Sequence, residues 1–355
     1  MARPKMTKLA CGHYSDNGKC EICLAREAME AAQAAAREAT ASRPDPTIPA
    51  PAAAAPESVA AVLGTGEPTA GVYDIPDSIY FKDPLKAYGT ESLSGSSARF
   101  LIPPSTPAHY RWRMDHQNDP TPAMIFGSAV HALTLETAEL AIFEGSAWNS
   151  VAGRKFLIEH DPDGDEAPIL AKDVAAAKAM AYSLRHHQIV AKALTNGRAE
   201  QAMFAQDPDT GIWLRGKLDY LQQAVKDRLV ITDVKTTQDA YFGEFSRSAA
   251  KLSYHVSDAH YARIVKLLGL AKRVTMIYAT VESHPPYLVS VHQISDEDLR
   301  RGDELDQLAI RTFARCLETG DWPGYPNKIN KLTLPVYAAR SEEEALLSAE
   351  EGDQQ

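Results

Sequence analysis

The chain has little cysteine: four residues in 355, three of them within the first 23. That scarcity and crowding exclude a disulfide framework and point to an intracellular setting. Long apolar runs are missing, so no membrane-spanning helix is expected, and no signal peptide is read. Positive charge is not in excess. The formal net charge is −10, so a surface for a polyanion has to be local. Glycine-rich loops that cradle phosphate are absent, as is a Ser/His/Asp order in recognisable context. No internal repeat is visible. What remains is an apolar content of 45%, enough for a sizeable core in one large domain or two small ones.

The early cysteines form a pattern. Cys11, His13, Cys20 and Cys23 give C-x-H-x6-C-x2-C. Four N/S donors suit a closed, structural Zn²⁺ site, and a segment this short would depend on the metal to fold. Residues 24–42 read as an exposed helix. Residues 43–70, rich in Pro, Ala, Thr and Ser, read as a flexible linker. The expected organisation is a zinc-binding segment and helix at 1–42, the linker at 43–70, a main domain at 71–340 and an acidic, disordered tail at 341–355.

Within the main domain the informative stretch is 212–237. Two apolar runs, Ile212–Leu221 and Leu229–Val234, flank a polar connection and predict a β-hairpin. Asp219 lies on the first strand, Asp233 and Lys235 on the second. Positions 233 and 235 are two apart and share a face. Burying two carboxylates and a lysine is costly without a cation or substrate. An isolated Asp-x-Lys pair is commonly a surface feature; Asp219 on the adjoining strand changes that. The chemistry that wants this set is metal-assisted phosphodiester hydrolysis. Mg²⁺ takes hard oxygen ligands and only one or two protein carboxylates, the metal activates water, and the lysine offsets developing negative charge.

Other residues are placed by their surroundings. Residues 122–143 predict one strongly apolar helix carrying His131, four residues after Gly127. His131 is read either as a core histidine or as a metal or phosphate contact. Residues 171–194 predict another helix. Glu200, at the start of a short predicted strand, reads as a surface acid or a minor member of the site. The cluster Tyr110–Arg113 fits both an amphipathic helix end and a surface meeting a nucleic-acid strand. The acidic run beginning at Asp161 is a solvated turn, because the twelfth position of a calcium loop would be Lys172.

Gly127-x-x-x-His131, Asp219, Asp233-x-Lys235-Thr-Thr, then Tyr254-His255-Val256 and Tyr261, occur in the order found in the PD-(D/E)XK nuclease superfamily. Within it the chain resembles the RecE-type (exodeoxyribonuclease VIII-like) phage nucleases, over roughly Tyr73 to Tyr337. The resemblance implies an α/β (α+β) fold: a restriction-endonuclease-like core with a mixed central sheet flanked by helices. It implies Mg²⁺-dependent 5′→3′ digestion of double-stranded DNA ends, with Mn²⁺ able to substitute. A homo-oligomeric ring, a single-strand annealing recombinase as partner, and a phage or prophage gene expressed in a bacterial cytoplasm follow in the same way. Carried over by residue, Asp219, Asp233, the Val234 carbonyl and His131 are metal ligands, and Lys235 is the catalytic lysine. Tyr261, with Arg215, is expected to contact nucleic acid. Ser257 stands where the family has glutamine, which leaves open an alternative: an adaptor binding DNA ends through a weakened site. A CRISPR-associated nuclease with an iron–sulfur cluster is discounted, since Cys316 is the only cysteine within the core.

Overall fold

The computed structural model describes residues 66–116, 119–160 and 166–352, together with Leu63, Thr7–Lys8 and Tyr14–Ser15. The chain divides into two units, Met1–Ala54 and Ala55–Gln355. In the first, β1 (Thr7–Lys8) pairs antiparallel with β2 (Tyr14–Ser15). Cys11, His13, Cys20 and Cys23, the expected helix at 24–42 and most of the expected linker lie outside the described residues.

The second unit is built on a seven-stranded mixed sheet. Its strands are β3 (Gly71–Asp74), β4 (Ser92–Ser94), β7 (Gly197–Gln206), β8 (Trp213–Gln222), β9 (Arg228–Thr237), β10 (Arg273–Glu282) and β11 (Val289–His292). The order is β11-β10-β9-β8-β7-β3, with β4 also paired to β8. The β9/β10 and β4/β8 pairs are parallel; the others are antiparallel. A separate parallel pair joins β5 (Glu139–Phe143) to β6 (Glu166–Leu170).

The helices, in chain order, are α1 (Asp77–Tyr80), α2 (Gly95–Ala98), α3 (Pro107–Asp115), α4 (Pro122–Leu135), α5 (Val151–His160), α6 (Val174–His186), α7 (Gln188–Ala193), α8 (Phe242–Leu252), α9 (Tyr254–Leu267), α10 (Asp296–Thr319) and α11 (Val336–Gly352). Against the sheet they form two main cores, beside two smaller clusters. In one, Leu229, Ile231, Met276 and Tyr278 of the sheet meet Phe245, Val256, Ile264, Ile310 and Phe313 from α8, α9 and α10. In the other, Val234, Ala279 and Val281 meet Ala129, Val130, Met180 and Leu184 from α4 and α6. Residues 231 and 234 of one strand thus serve different cores, as alternation along a doubly covered strand requires.

Local chemistry sets the boundaries. Thr121 caps α4 by accepting from the Met124 amide, and Pro122 occupies the first turn, the position where its missing N–H costs nothing. Ser295 caps α10 in the same way, and three acids fill that helix's first turn, complementing the helix dipole. The hairpin predicted at 212–234 forms as β8 and β9. The single helix expected over 122–143 does not. It ends at Leu135, where Glu136 turns left-handed with φ 57°, and the chain continues into β5. The helix expected over 171–194 is broken at His187, whose extended backbone separates α6 from α7. The tail at 341–355, expected to be disordered, instead continues α11 to Gly352. Its Ala, Glu and Leu are strong helix formers, and acidity alone does not outweigh that.

Candidate active site

The site lies where the sheet's ladder fails. β8 and β9 pair at Leu221↔Ile231 and Tyr220↔Thr232, and the next position in that register would join Asp219 to Asp233. They are not joined. The Asp219 carboxylate accepts a hydrogen bond from the Val234 amide at 2.7 Å, a side chain standing in for the lost backbone partner. On its other edge, β8 pairs with β7 at Tyr220↔Ala199 and Leu218↔Gln201 but not at Asp219 and Glu200. Glu200 sits at φ 53°. A left-handed non-glycine residue inside a strand costs roughly 1–3 kcal/mol and persists where its surroundings fix it. Glu200, Asp219 and Asp233 therefore mark one row across three strands, at an interruption on both sides of β8.

α4 supplies the histidine. His131 Nε2 is 2.9 Å from Asp219 Oδ2, and Nδ1 is 3.0 Å from Glu200 Oε1. With an acceptor at each nitrogen the ring is best satisfied as imidazolium. Burial opposes that charge, but Asp219 and Glu200 outweigh it and push the His131 pKa up to about 10. Gly127 lets the helix come close: a Cβ there would lie 3.3 Å from Thr236 Oγ1 on β9.

Lys235 pairs with Asp233 and reaches the Val234 carbonyl at 3.4 Å. Burial would lower the lysine's pKa; Asp233 and Asp219 reverse this and raise it. The two aspartates are driven apart. Burial, with the like charge of Asp219, lifts Asp233 to about 6 against the pull of Lys235. Burial also opposes ionisation of Asp219, yet His131 and Lys235 hold it well below the ordinary range. Neighbouring carboxylates whose pKa values are driven apart are a feature of candidate functional sites.

The donors suit a hard divalent cation. Among the described residues, no three His, Cys, Asp or Glu side chains form a ready-made metal cage. Mg²⁺ needs none, because it keeps several waters and uses one or two carboxylates. Asp233 Oδ2 meets the Lys235 ammonium as an ion pair but is buried without a well-formed hydrogen bond, leaving it acceptor capacity. Asp219, Asp233 and the Val234 carbonyl are the oxygens that would hold such an ion. His131 joins them only by giving up a proton.

Sequence reasoning undervalued Glu200. Besides His131 it meets Lys217 at 3.3 Å, and Lys217 also pairs with Asp77. The available signal was charge alternation at Arg215, Lys217 and Asp219 on the facing strand. Arg215 is 6% exposed, lies 2.9 Å from Asp83 Oδ2 and hydrogen-bonds Ser92, so that it ties β8 to the start of β4; its Nε is buried without a hydrogen-bond partner. Tyr261 is wedged between Gly95 and Gly216, where added Cβ atoms would lie 2.9 and 2.7 Å from its ring. The ring packs against both glycines. Ser257 donates to the Gly95 carbonyl at 3.1 Å. The Tyr110–Arg113 cluster divides: Tyr110 is buried against Phe313 and Trp322, Arg111 binds Glu91 and Asp115, and Trp112 and Arg113 are exposed.

No helix among the described residues is long and apolar enough to cross a membrane. No curated protein matches the chain. Among solved structures, a protein described as a candidate exonuclease from Eubacterium rectale aligns with 74% of this chain and 95% of its own, at 12% identity and a TM-score of 0.46. A phage-related exonuclease from Haemophilus somnus 129PT aligns with 67% and 100%, at 12% identity and a TM-score of 0.29. The model of one family, described as a PDDEXK-like domain of unknown function (DUF3799), matches residues 97–335, and the chain belongs to that PDDEXK-like family.

Proposed function

We propose that this chain is a metal-dependent DNA exonuclease that hydrolyses phosphodiester bonds at double-stranded ends in the 5′→3′ direction, in phage-type recombination. The observation that carries the reading is the meeting of His131, Glu200, Asp219, Asp233 and Lys235 at the break in the sheet. Membership of the PDDEXK-like family supports nuclease chemistry. Polarity, end preference, a ring-shaped oligomer and a single-strand annealing partner rest on the resemblance to RecE-type nucleases.

Bound Mg²⁺ would supply Lewis acidity and an acidified water. The chain's own residues do the rest. Asp219 and Asp233 present carboxylate oxygens, and the Val234 amide fixes the rotamer of Asp219. Lys235 places a compact ammonium beside them to offset charge that develops on the phosphate. Glu200 and Asp219 together orient the His131 ring, the arrangement by which a second layer of hydrogen bonds tunes a metal site.

The deciding experiment uses end-labelled linear duplex with Mg²⁺ beside closed circular DNA. Release of labelled mononucleotides from the linear substrate alone is the expected result. Cleavage of the circle would make the chain an endonuclease. Binding of ends without hydrolysis would favour the adaptor reading that Ser257 raises. For the N-terminal Cys/His segment the proposal is one structural Zn²⁺. Purified protein should carry about one zinc per chain, lost on deletion of residues 1–70 with nuclease activity retained. A zinc-free full chain would remove that proposal.

A further inference from the structure

Phe100, in the turn after α2, carries two guanidinium groups against one ring. Arg99 Cζ is 4.7 Å from the ring centroid and Arg113 Cζ is 4.3 Å from it. Arg99 follows α2 directly; Arg113 comes from α3. Among the described residues neither forms an ion pair with a carboxylate. Arg111, between them in sequence, shows what a structural arginine looks like here, clamped by Glu91 and Asp115. Arg99 spends Nη1 on the Leu252 carbonyl at 3.0 Å. Its Nε is buried with no hydrogen-bond partner.

Two like charges against one ring, with a buried donor unused, are expensive in a free protein. The cost shows in Arg99, whose pKa is pressed below its usual value by burial and by the like charge of Arg113. Such an arrangement is explained by an anion that takes up the spare donors. Phe100 belongs to the apolar packing around the main core, so the ring is a fixed platform that aims both forks by cation–π contact. Planar guanidinium groups match phosphate oxygens bidentately, which an ammonium does not.

Position selects the phosphate. Leu252, held by Arg99, is two residues before Tyr254. The Tyr254 phenol lies in the fields of Lys235, Asp233, Arg99 and Asp219 together. It stacks on Tyr278 at 5.2 Å, the residue of β10 opposite Asp233. Positive charge thus continues from Lys235, paired with Asp233, to Arg99 and Arg113, which form no ion pair among the described residues. In a chain of net charge −10 this is a local exception of the kind that binding a polyanion demands.

We propose that Arg99 and Arg113 form a phosphate subsite beside the catalytic carboxylates, holding a backbone phosphate of the DNA strand next to the one that is cut. The proposal rests on the nuclease reading and deepens it.

The test is equilibrium binding of a labelled linear duplex to the full chain in EDTA, so that no hydrolysis occurs, across a salt series. Arg113→Ala should weaken binding uniformly across sequences and lower the slope of log affinity against log salt by about one. Arg99→Ala should do the same, and Arg99→Lys should restore the slope while binding less tightly. Lys155→Ala, which removes an exposed charge paired with Glu159 on α5, should leave the slope unchanged. Arg113 is exposed and its side chain makes no hydrogen bond among the described residues, so its variant reads binding even if Arg99→Ala fails to fold. A wild-type slope in Arg113→Ala overturns the subsite, and leaves the nuclease reading standing if wild-type protein still cleaves linear duplex. Wild-type protein that neither binds nor cleaves duplex overturns both.

Discussion

The carboxylate of Asp219 accepts a hydrogen bond from the backbone amide of Val234, at 2.7 Å. One side chain therefore closes the gap where two strands part and stands at the centre of the site. The two roles can be separated. Asp219→Asn keeps a carbonyl oxygen for the amide but loses the charge. It should melt close to wild type and hydrolyse no DNA. Asp219→Ala should lose activity and also about 1–3 kcal/mol of stability, the usual cost of leaving a buried amide unpaired. Urea melts beside cleavage assays check this. Equal stability in both variants would mean that water satisfies the amide.

Lys235 faces Asp233 and does not accept a metal. Lys235→Ala should lower the single-turnover cleavage rate by roughly 10²–10³-fold, the scale for one electrostatic contact at a developing charge. Mg²⁺ affinity should be retained or slightly improved, since a repelling cation is gone. Lys235→Arg should not rescue, because a planar fork cannot replace a compact ammonium. Normal cleavage by Lys235→Ala would make the lysine only a partner that neutralises Asp233.

Glu200 distinguishes the tertiary site from a surface acid. Glu200→Gln removes charge next to His131 and Lys217 without altering size. Cleavage should fall roughly 10- to 100-fold, as for other groups that orient a metal-site ligand, with the fold intact by circular dichroism. An unchanged rate across a Mg²⁺ titration would return Glu200 to a purely structural place.

Asp258 should set part of the pH dependence of stability. It is 3% exposed, with Oδ2 lacking a partner. Burial, helped by Asp233, raises its pKa from 3.8 to about 7. Between those values the native chain holds a proton that the unfolded chain releases. Stability from this group is therefore full below pH 4, falls as pH rises toward 7, and is flat above. The ceiling on the loss is about 4 kcal/mol, from three pH units at about 1.4 kcal/mol each. Asp258→Asn should lose less stability than wild type between pH 5 and pH 8 in paired urea melts. Identical losses would show that Asp258 is ionised throughout.

The sequence determined the parts of the site that depend on local pattern. Asp219, Asp233 and Lys235 were legible because a hairpin fixes its own geometry: alternation put 233 and 235 on one face, and the connection brought 219 opposite. The ends of α10 are likewise set by local residues, with a serine cap, acids in the first turn and glycine at the end all within a few positions of its termini. His131 was ambiguous until the fold placed α4 over β9. What the tertiary structure alone decided were partnerships between residues far apart in the chain. The ion pair of Arg215 with Asp83, 132 positions away, is one of them. Arg99 and Arg113 are separated by fourteen positions and meet only because Phe100 lies between them in space. Glu200 gains its role from a left-handed backbone and from the register of β7 against β8. Local sequence sets propensity over a few residues; the register between strands and the pairing of distant charges are set by how the whole core packs.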